Sequence, residues 1–121
     1  MSTESLVART WRMLIERHPQ ARRGDSDVIE AAFAEPRLRQ LFPFPSHGRL
    51  HFHRNTDFPW SNDLPSIASG LSAYAVYSAD HQLIGETPTP QEAAALLVAH
   101  LPDDCGPAVD GPWPPPSIHQ A

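Results

Sequence analysis

The run Arg49–Arg54, RLHFHR, changes character at every step. Side chains on a strand alternate faces, so Leu50 and Phe52 fall on one side and Arg49, His51 and His53 on the other. One face is apolar and the other carries a guanidinium and two imidazoles. Such a strand belongs in a sheet that packs one face on a core and leaves the other open. Its surroundings, Leu41–Trp60, hold three of the seven histidines (His47, His51, His53) and four of the five phenylalanines (Phe42, Phe44, Phe52, Phe58). Proline-stiffened loops flank it. A ligand is expected here.

The rest of the chain reads as short elements cut by proline. Ser2 or Thr3 caps a first helix, with Val7, Trp11, Leu14 and Ile15 at helical spacing and Leu6 and Met13 beside them. His18-Pro19 stops it, since proline disfavours α geometry in the residue before it. Arg22 and Arg23 sit in the turn that follows. A second helix is expected over Asp27–Ala34, capped by Asp25 or Ser26, and one more helical turn over Arg37–Leu41. After the Arg49–Arg54 strand, Asn55-Thr56-Asp57 reads as a turn. Leu64–Ser69 reads as a short strand at a sheet edge, where Pro65 is tolerated. Ala73–Ser78 and Gln82–Thr87 form a hairpin. Thr89-Pro90-Gln91-Glu92 is a helix start with cap, first-turn proline and capping-box glutamate. Pro102 ends that helix. The order α-α-β-β-β-β-α predicts one α+β domain over residues 1–105, an antiparallel sheet of about four strands with helices on one face. Residues 106–121, with Trp113-Pro114-Pro115-Pro116, are expected to form a loosely ordered tail on which Trp113 alone has a reason to dock.

Composition narrows the function. A length of 121 residues suits one domain. The net charge of −5 argues against a nucleic-acid partner. No apolar run is long enough for a membrane span, and the polar start MSTES does not read as a secretory signal. A single cysteine, Cys105, excludes an internal disulfide framework and fits a reducing cytoplasm. All nine basic residues are arginine, so no protein lysine is present to act as an amine nucleophile or base.

Three kinds of site compete for the central stretch. A metal would use His47, His51 and His53 with Asp57 or Asp63, but the set lacks a second strong ligand pair. Ser46-His47-Gly48 has nucleophile residue types without the strained turn that such a site needs. An anion site built from Arg49, Arg54 and the histidines asks least, because arginine forks match carboxylates. Phe42, Phe44 and Phe58 read first as core. Trp60 reads as an exposed aromatic contact. Tyr74 and Tyr77 lie on opposite faces of their strand, so only one of them joins the histidine side.

The block PFPSHGRLHFHR, the FPW loop, YAVYSADHQLIGE, TPQEAAALLVAHLP and CGPAVDG resemble small actinomycete proteins of natural-product gene clusters. The shared pattern PF-x-SH-x-x-L-x-F-x-R matches at Pro43, Phe44, Ser46, His47, Leu50, Phe52 and Arg54, with His53 where serine is common. Among these proteins the chain is most similar to the lysinoalanine-forming branch of cinnamycin- and duramycin-type lanthipeptide pathways. The resemblance implies a cytoplasmic homodimer without a cofactor that binds a modified lanthipeptide. It would close the last ring by aza-Michael addition of the peptide's own lysine to a dehydroalanine, a hydroxylated aspartate of the peptide serving as base. Read with the chemistry of the residues, Arg54, His47, His51 and His53 are the catalytic candidates, and Arg49, Phe44, Trp60 and Tyr74 the binding candidates. The rival expectations are a non-catalytic peptide-binding or chaperone-like component and a histidine-ligated metal enzyme.

Overall fold

The computed structural model describes residues 4–17, 23–70 and 72–115. Ser5 caps the first helix, its Oγ accepting from the Ala8 amide, and α1 runs over Leu6–Glu16. The caps expected at Ser2 or Thr3, and the stop at His18-Pro19, lie outside the described residues. α2 covers Arg23–Ala34, starting four residues earlier than the sequence pattern suggests, and α3 is the short turn Pro36–Arg39. Five strands follow: β1 Phe42–Ser46, β2 Arg49–His53, β3 Ser66–Ser69, β4 Tyr74–Tyr77 and β5 Leu83–Thr87. α4, Pro90–Ala99, closes the order. Thr89 Oγ1 accepts from the Glu92 amide and Pro90 stands at the helix start, where its missing N–H costs nothing.

The strands form one antiparallel sheet in the order β1-β2-β3-β4-β5. The architecture is α+β, with one strand more than the expected four. The extra strand is β1, whose Pro43 and Pro45 argue against a strand interior. It lies at the sheet edge, and His47 and Gly48 join it to β2 in a two-residue turn with φ of 53° and 76°. Both angles are left-handed, the type I′ geometry that suits hairpins. With Ser46 opposite Arg49 as the closing pair, Pro43 and Pro45 fall where an N–H would point away from β2. β3 is central rather than an edge strand, and Pro65 lies just outside it.

Leu50 and Phe52 of β2, Ile67 of β3 and Val76 of β4 point to one side and are at most 3% exposed. They meet Trp11, Val28, Ile29 and Ala32 from α1 and α2, Leu38 and Leu41 around α3, and Ala93, Ala94, Leu97 and Leu101 from α4 and its end. All the helices therefore cover one face of the sheet. Trp11 is fully buried and its indole N–H donates to the Leu41 carbonyl at 3.0 Å. Gly85 of β5 lies under α4, where an added Cβ would meet Leu96 at 3.1 Å.

The segment after α4 is not loose where it is described. Ala108 N donates to Gln40 O, Val109 N to Arg54 O and Trp113 N to Pro59 O, each at 2.9 Å. Residues 106–115 thus lie against the loop that follows β2, contrary to a tail beginning at 106. The cause is Asn55, which is fully buried. The two hydrogens of its Nδ2 are shared among the carbonyls of Asp57, Pro59 and Gly111, and its Oδ1 accepts from the Ser61 amide. Gly111 N in turn donates to Thr56 Oγ1 at 2.9 Å. Proline density rules out helix and sheet interior here, but not docking by the remaining amides and carbonyls. Residues 116–121 fall outside the described residues.

Candidate functional site

The helix-free face of the sheet carries the alternate side chains. On β1 and β2 these are Phe42, Phe44, Arg49, His51 and His53, with Phe42 opposite His53 and Phe44 opposite His51. At one end the loop after β2 folds back. Trp60 stacks on His53 (centroids 4.7 Å, 23°) and on Phe42 (5.5 Å, 15°), with Phe44 tilted at 5.9 Å. This pile leaves His53 only 7% exposed although no helix covers it, while Phe44 remains 42% exposed. Phe42 and Phe44 are therefore not core residues, as the sequence suggests; they face away from the helices. Phe58 is 75% exposed.

His53 Nδ1 lies 3.1 Å from the Ser61 carbonyl. A carbonyl only accepts, so Nδ1 carries the hydrogen and Nε2 keeps its lone pair. Burial lowers the His53 pKa below the ordinary imidazole value, partly opposed by that hydrogen bond. His51 is half-buried and its pKa is also lowered, first by burial and then by the charges of Arg49, His53 and His81. Burial thus disfavours the charged form of both imidazoles.

From the far end of β2, Arg49 reaches across β3 toward β4. The outward residues of β3 are Ser66 and Ala68, both small, and they leave room for the guanidinium to lie over the Tyr77 ring of β4 at 4.2 Å. Arg49 Nη1 is 3.3 Å from His81 Nδ1 in the β4–β5 turn. Among the described residues no carboxylate stands within ion-pair distance of Arg49.

The expected site residues separate into groups. Arg49, His51, His53, Phe44 and Trp60 share the open face. Tyr74 does not: it lies one residue out of phase, beside Val76, and packs against the core. Tyr77 is the tyrosine on the histidine side. His47 occupies the exposed hairpin turn beyond Arg49. Arg54 is committed elsewhere. Its guanidinium pairs with Asp63 at 3.0 Å and Asp104 at 3.4 Å, sits 5.8 Å from the Trp113 ring, and its side chain is 11% exposed. It clamps the C-terminal segment instead of facing a ligand, because β2 ends at His53 and the chain turns there. Sequence reasoning missed His81, which is 32 residues from Arg49; only the sheet order brings them together.

Among the described residues no three of His, Cys, Asp and Glu converge as metal ligands. His47 and His51 belong to the turn and the strand middle, and Asp63 is held by Arg54. Cys105 is buried, and burial raises its thiol pKa, which leaves it a poor nucleophile.

A concavity of about 920 Å³ lies on the helical side. α1, Phe33, Pro36 and the Pro107-Ala108 segment line it. On its rim Arg12 pairs with Glu4 at 2.9 Å and Glu16 at 3.3 Å, and Arg39 donates to the Phe33 and Ala34 carbonyls. The sheet face instead combines an arginine without a carboxylate partner among the described residues, two imidazoles and an aromatic pile, and is the candidate site.

Residues 5–112 match the sequence profile of a family of unknown function, DUF6193. The chain belongs to that family. No curated protein and no solved structure matches it. DUF6193 membership covers the whole sheet and every residue of the open face, and it carries no activity with it. No helix among the described residues of this DUF6193 protein is long and apolar enough to cross a membrane.

Proposed function

We propose that this protein holds a peptide along the open face of its sheet, and that the reaction it serves is closure of a lysinoalanine bridge in a lanthipeptide. The first part rests on one observation. An aromatic pile (Phe42, Phe44, Trp60, His53) and an arginine without a carboxylate partner lie on the same uncovered face, with His51 between them. Aromatic side chains grip apolar side chains, and a guanidinium fork grips carboxylates. The second part rests on the resemblance of the Pro43–Arg54 block and the blocks after it to lysinoalanine-forming proteins.

The chemistry asked of the protein is small. The lysine nitrogen of the peptide bonds to the β-carbon of dehydroalanine. The alkene pair moves to the α-carbon and its carbonyl, giving an enolate. The ammonium gives up one proton and the α-carbon takes one, so mass is unchanged. Holding the reacting atoms at attack distance is worth about 7–11 kcal/mol. In this reading His51 accepts the ammonium proton where the peptide supplies no base of its own. Arg49, not Arg54, is the residue for the enolate or a nearby carboxylate, and it never acts as base.

A second reading, a carrier that binds the peptide without turnover, is favoured by the shape of the face, which is open rather than enclosed. Incubation with a thioether-bridged, hydroxylated, dehydroalanine-containing cinnamycin-type peptide separates the two. Tandem mass spectrometry should show a fragment-resistant lysine-to-alanine bridge forming faster than without protein. Arg49→Ala should slow it about 10²-fold, and Arg54→Ala should act mainly through stability. Binding without bridge formation leaves the carrier reading. Absence of binding refutes both.

A further inference from the structure

We propose that Arg49 and His81 together form a carboxylate seat that fixes which way a bound peptide runs along the open face. The inference rests on the peptide-binding reading above and adds to it the ligand group and a residue, His81, that no motif marks.

The donor inventory carries it. Arginine has five N–H groups and no acceptor, and it stays protonated. Its contact with His81 Nδ1 at 3.3 Å therefore makes that nitrogen the acceptor, so the imidazole hydrogen is on Nε2. His81 Nε2–H then points away from the guanidinium, so His81 orients the fork and the remaining guanidinium N–H groups are the donors that face a ligand. The guanidinium is set in place from below by the Tyr77 ring at 4.2 Å and from the side by His81. A held fork loses less freedom on binding than a free one. His81 itself stands at φ 67°, a conformation uncommon for a residue other than glycine. The turn imposes it: His81 N donates to Ser78 O, and Ser78 N to Gln82 O.

Charge is one-sided here. Arg49 supplies the fixed charge, and among the described residues no carboxylate lies within ion-pair distance of it. Asp80, the neighbour of His81, accepts from the Ser78 hydroxyl. Glu86 lies on β5 opposite Ala75 and forms no ion pair with Arg49. In a protein of net charge −5, such a patch attracts an anion. The guanidinium fork selects a planar one of carboxylate shape.

Spacing sets the peptide. The Arg49 guanidinium lies over Tyr77 of β4, two strand spacings from β2 and roughly 10 Å across the sheet from the aromatic pile. A chain of about four extended residues, roughly 13 Å long, therefore spans from the aromatic pile to the seat. An aromatic residue would lie by Phe44 and Trp60 and a carboxylate at Arg49–His81. The carboxylate is either a chain terminus or an aspartate or glutamate side chain.

The test uses the full protein and three acetylated tetrapeptides, each beginning with phenylalanine. The first is Phe-Gly-Gly-Gly with a free C-terminus, the second its C-terminal amide, and the third Phe-Gly-Gly-Asp amide. Binding is followed by the side-chain NMR signals of Trp60 Nε1 and Arg49 Nε. The free acid should bind at least 10-fold tighter than the amide. Arg49→Gln should cut that ratio below 3-fold, and His81→Asn, which keeps the left-handed turn, should reduce it in part. If the aspartate peptide matches the acid, side-chain carboxylates are taken; if it matches the amide, only a terminus is. Equal binding of acid and amide, with Trp60 perturbed, overturns the seat and leaves the binding face standing. A preference that survives Arg49→Gln also overturns it. If no peptide moves either signal, the binding-face reading falls as well.

Discussion

His53 shows how a single side chain is set by its surroundings. It belongs to the open face, yet Trp60 and Phe44 cover it and the Ser61 carbonyl fixes its tautomer. Its pKa is lowered, as is that of His51. The unfolded chain titrates at the ordinary value near 6.5. Below that pH the unfolded state binds more protons than the folded one, so stability is full above about 6.5 and falls as pH drops toward the folded values. Thermal unfolding at pH 7.5 and 5.5 should show a lower Tm at the acid end. His53→Phe keeps the stack on Trp60 and removes one titrating group. It should change stability at pH 7.5 by no more than about 1 kcal/mol and shrink the acid loss. An acid loss unchanged in this variant would place the titration elsewhere. Arg54 shows the opposite case. By residue type it is an anion binder, but two carboxylates of its own chain already occupy it.

At the level of elements, the C-terminal segment and β1 were hardest to read because proline hides them. Proline rules out helix interiors and central strands, and says little about edges and straps. β1 survives because its prolines lie where no ladder bond is needed. The strap survives because Asn55 and a few amides hold it. Asn55→Ala removes two N–H donors, shared among three carbonyls, and one acceptor from a fully buried side chain and should cost about 3 kcal/mol. The loss should be local first, with amide exchange at Ala108, Val109 and Trp113 accelerated well before that of β2–β4. Uniform acceleration across the sheet would show that the strap is not a separate unit. The helices were more legible. The Thr89-Pro90-Glu92 start, the Val7–Trp11–Leu14–Ile15 stripe and the inward Leu38 and Leu41 all stand as periodicity and capping predict.

The whole molecule is two layers around one core, with Trp11 at the junction of α1, β1 and β2. It packs on Phe33 at 5.6 Å and Phe52 at 6.4 Å. Trp11→Ala should cost about 3–5 kcal/mol, read as a shift of the urea midpoint without a change in slope. A cost under about 1 kcal/mol would mean that α1 is dispensable to the core. This layering also decides the site. Because every helix sits on one face, the other face is left to the side chains that alternate outward.

Local sequence determined a good deal. Alternation at Arg49–Arg54 determined which residues of β2 face away from the core, and the cap and proline at Thr89-Pro90 determined where α4 starts. These are short-range effects, decided by sterics and hydrogen bonds within a few residues. Strand order was not of that kind. Placing β3 between β2 and β4, with small outward residues, lets Arg49 lie on Tyr77 and meet His81. Folding the loop after β2 back over the sheet buries His53 under Trp60, and docking the last segment takes Arg54 out of the site. Each joins residues far apart in the chain or turned by a loop, and the burial that makes them favourable exists only once the whole sheet has formed.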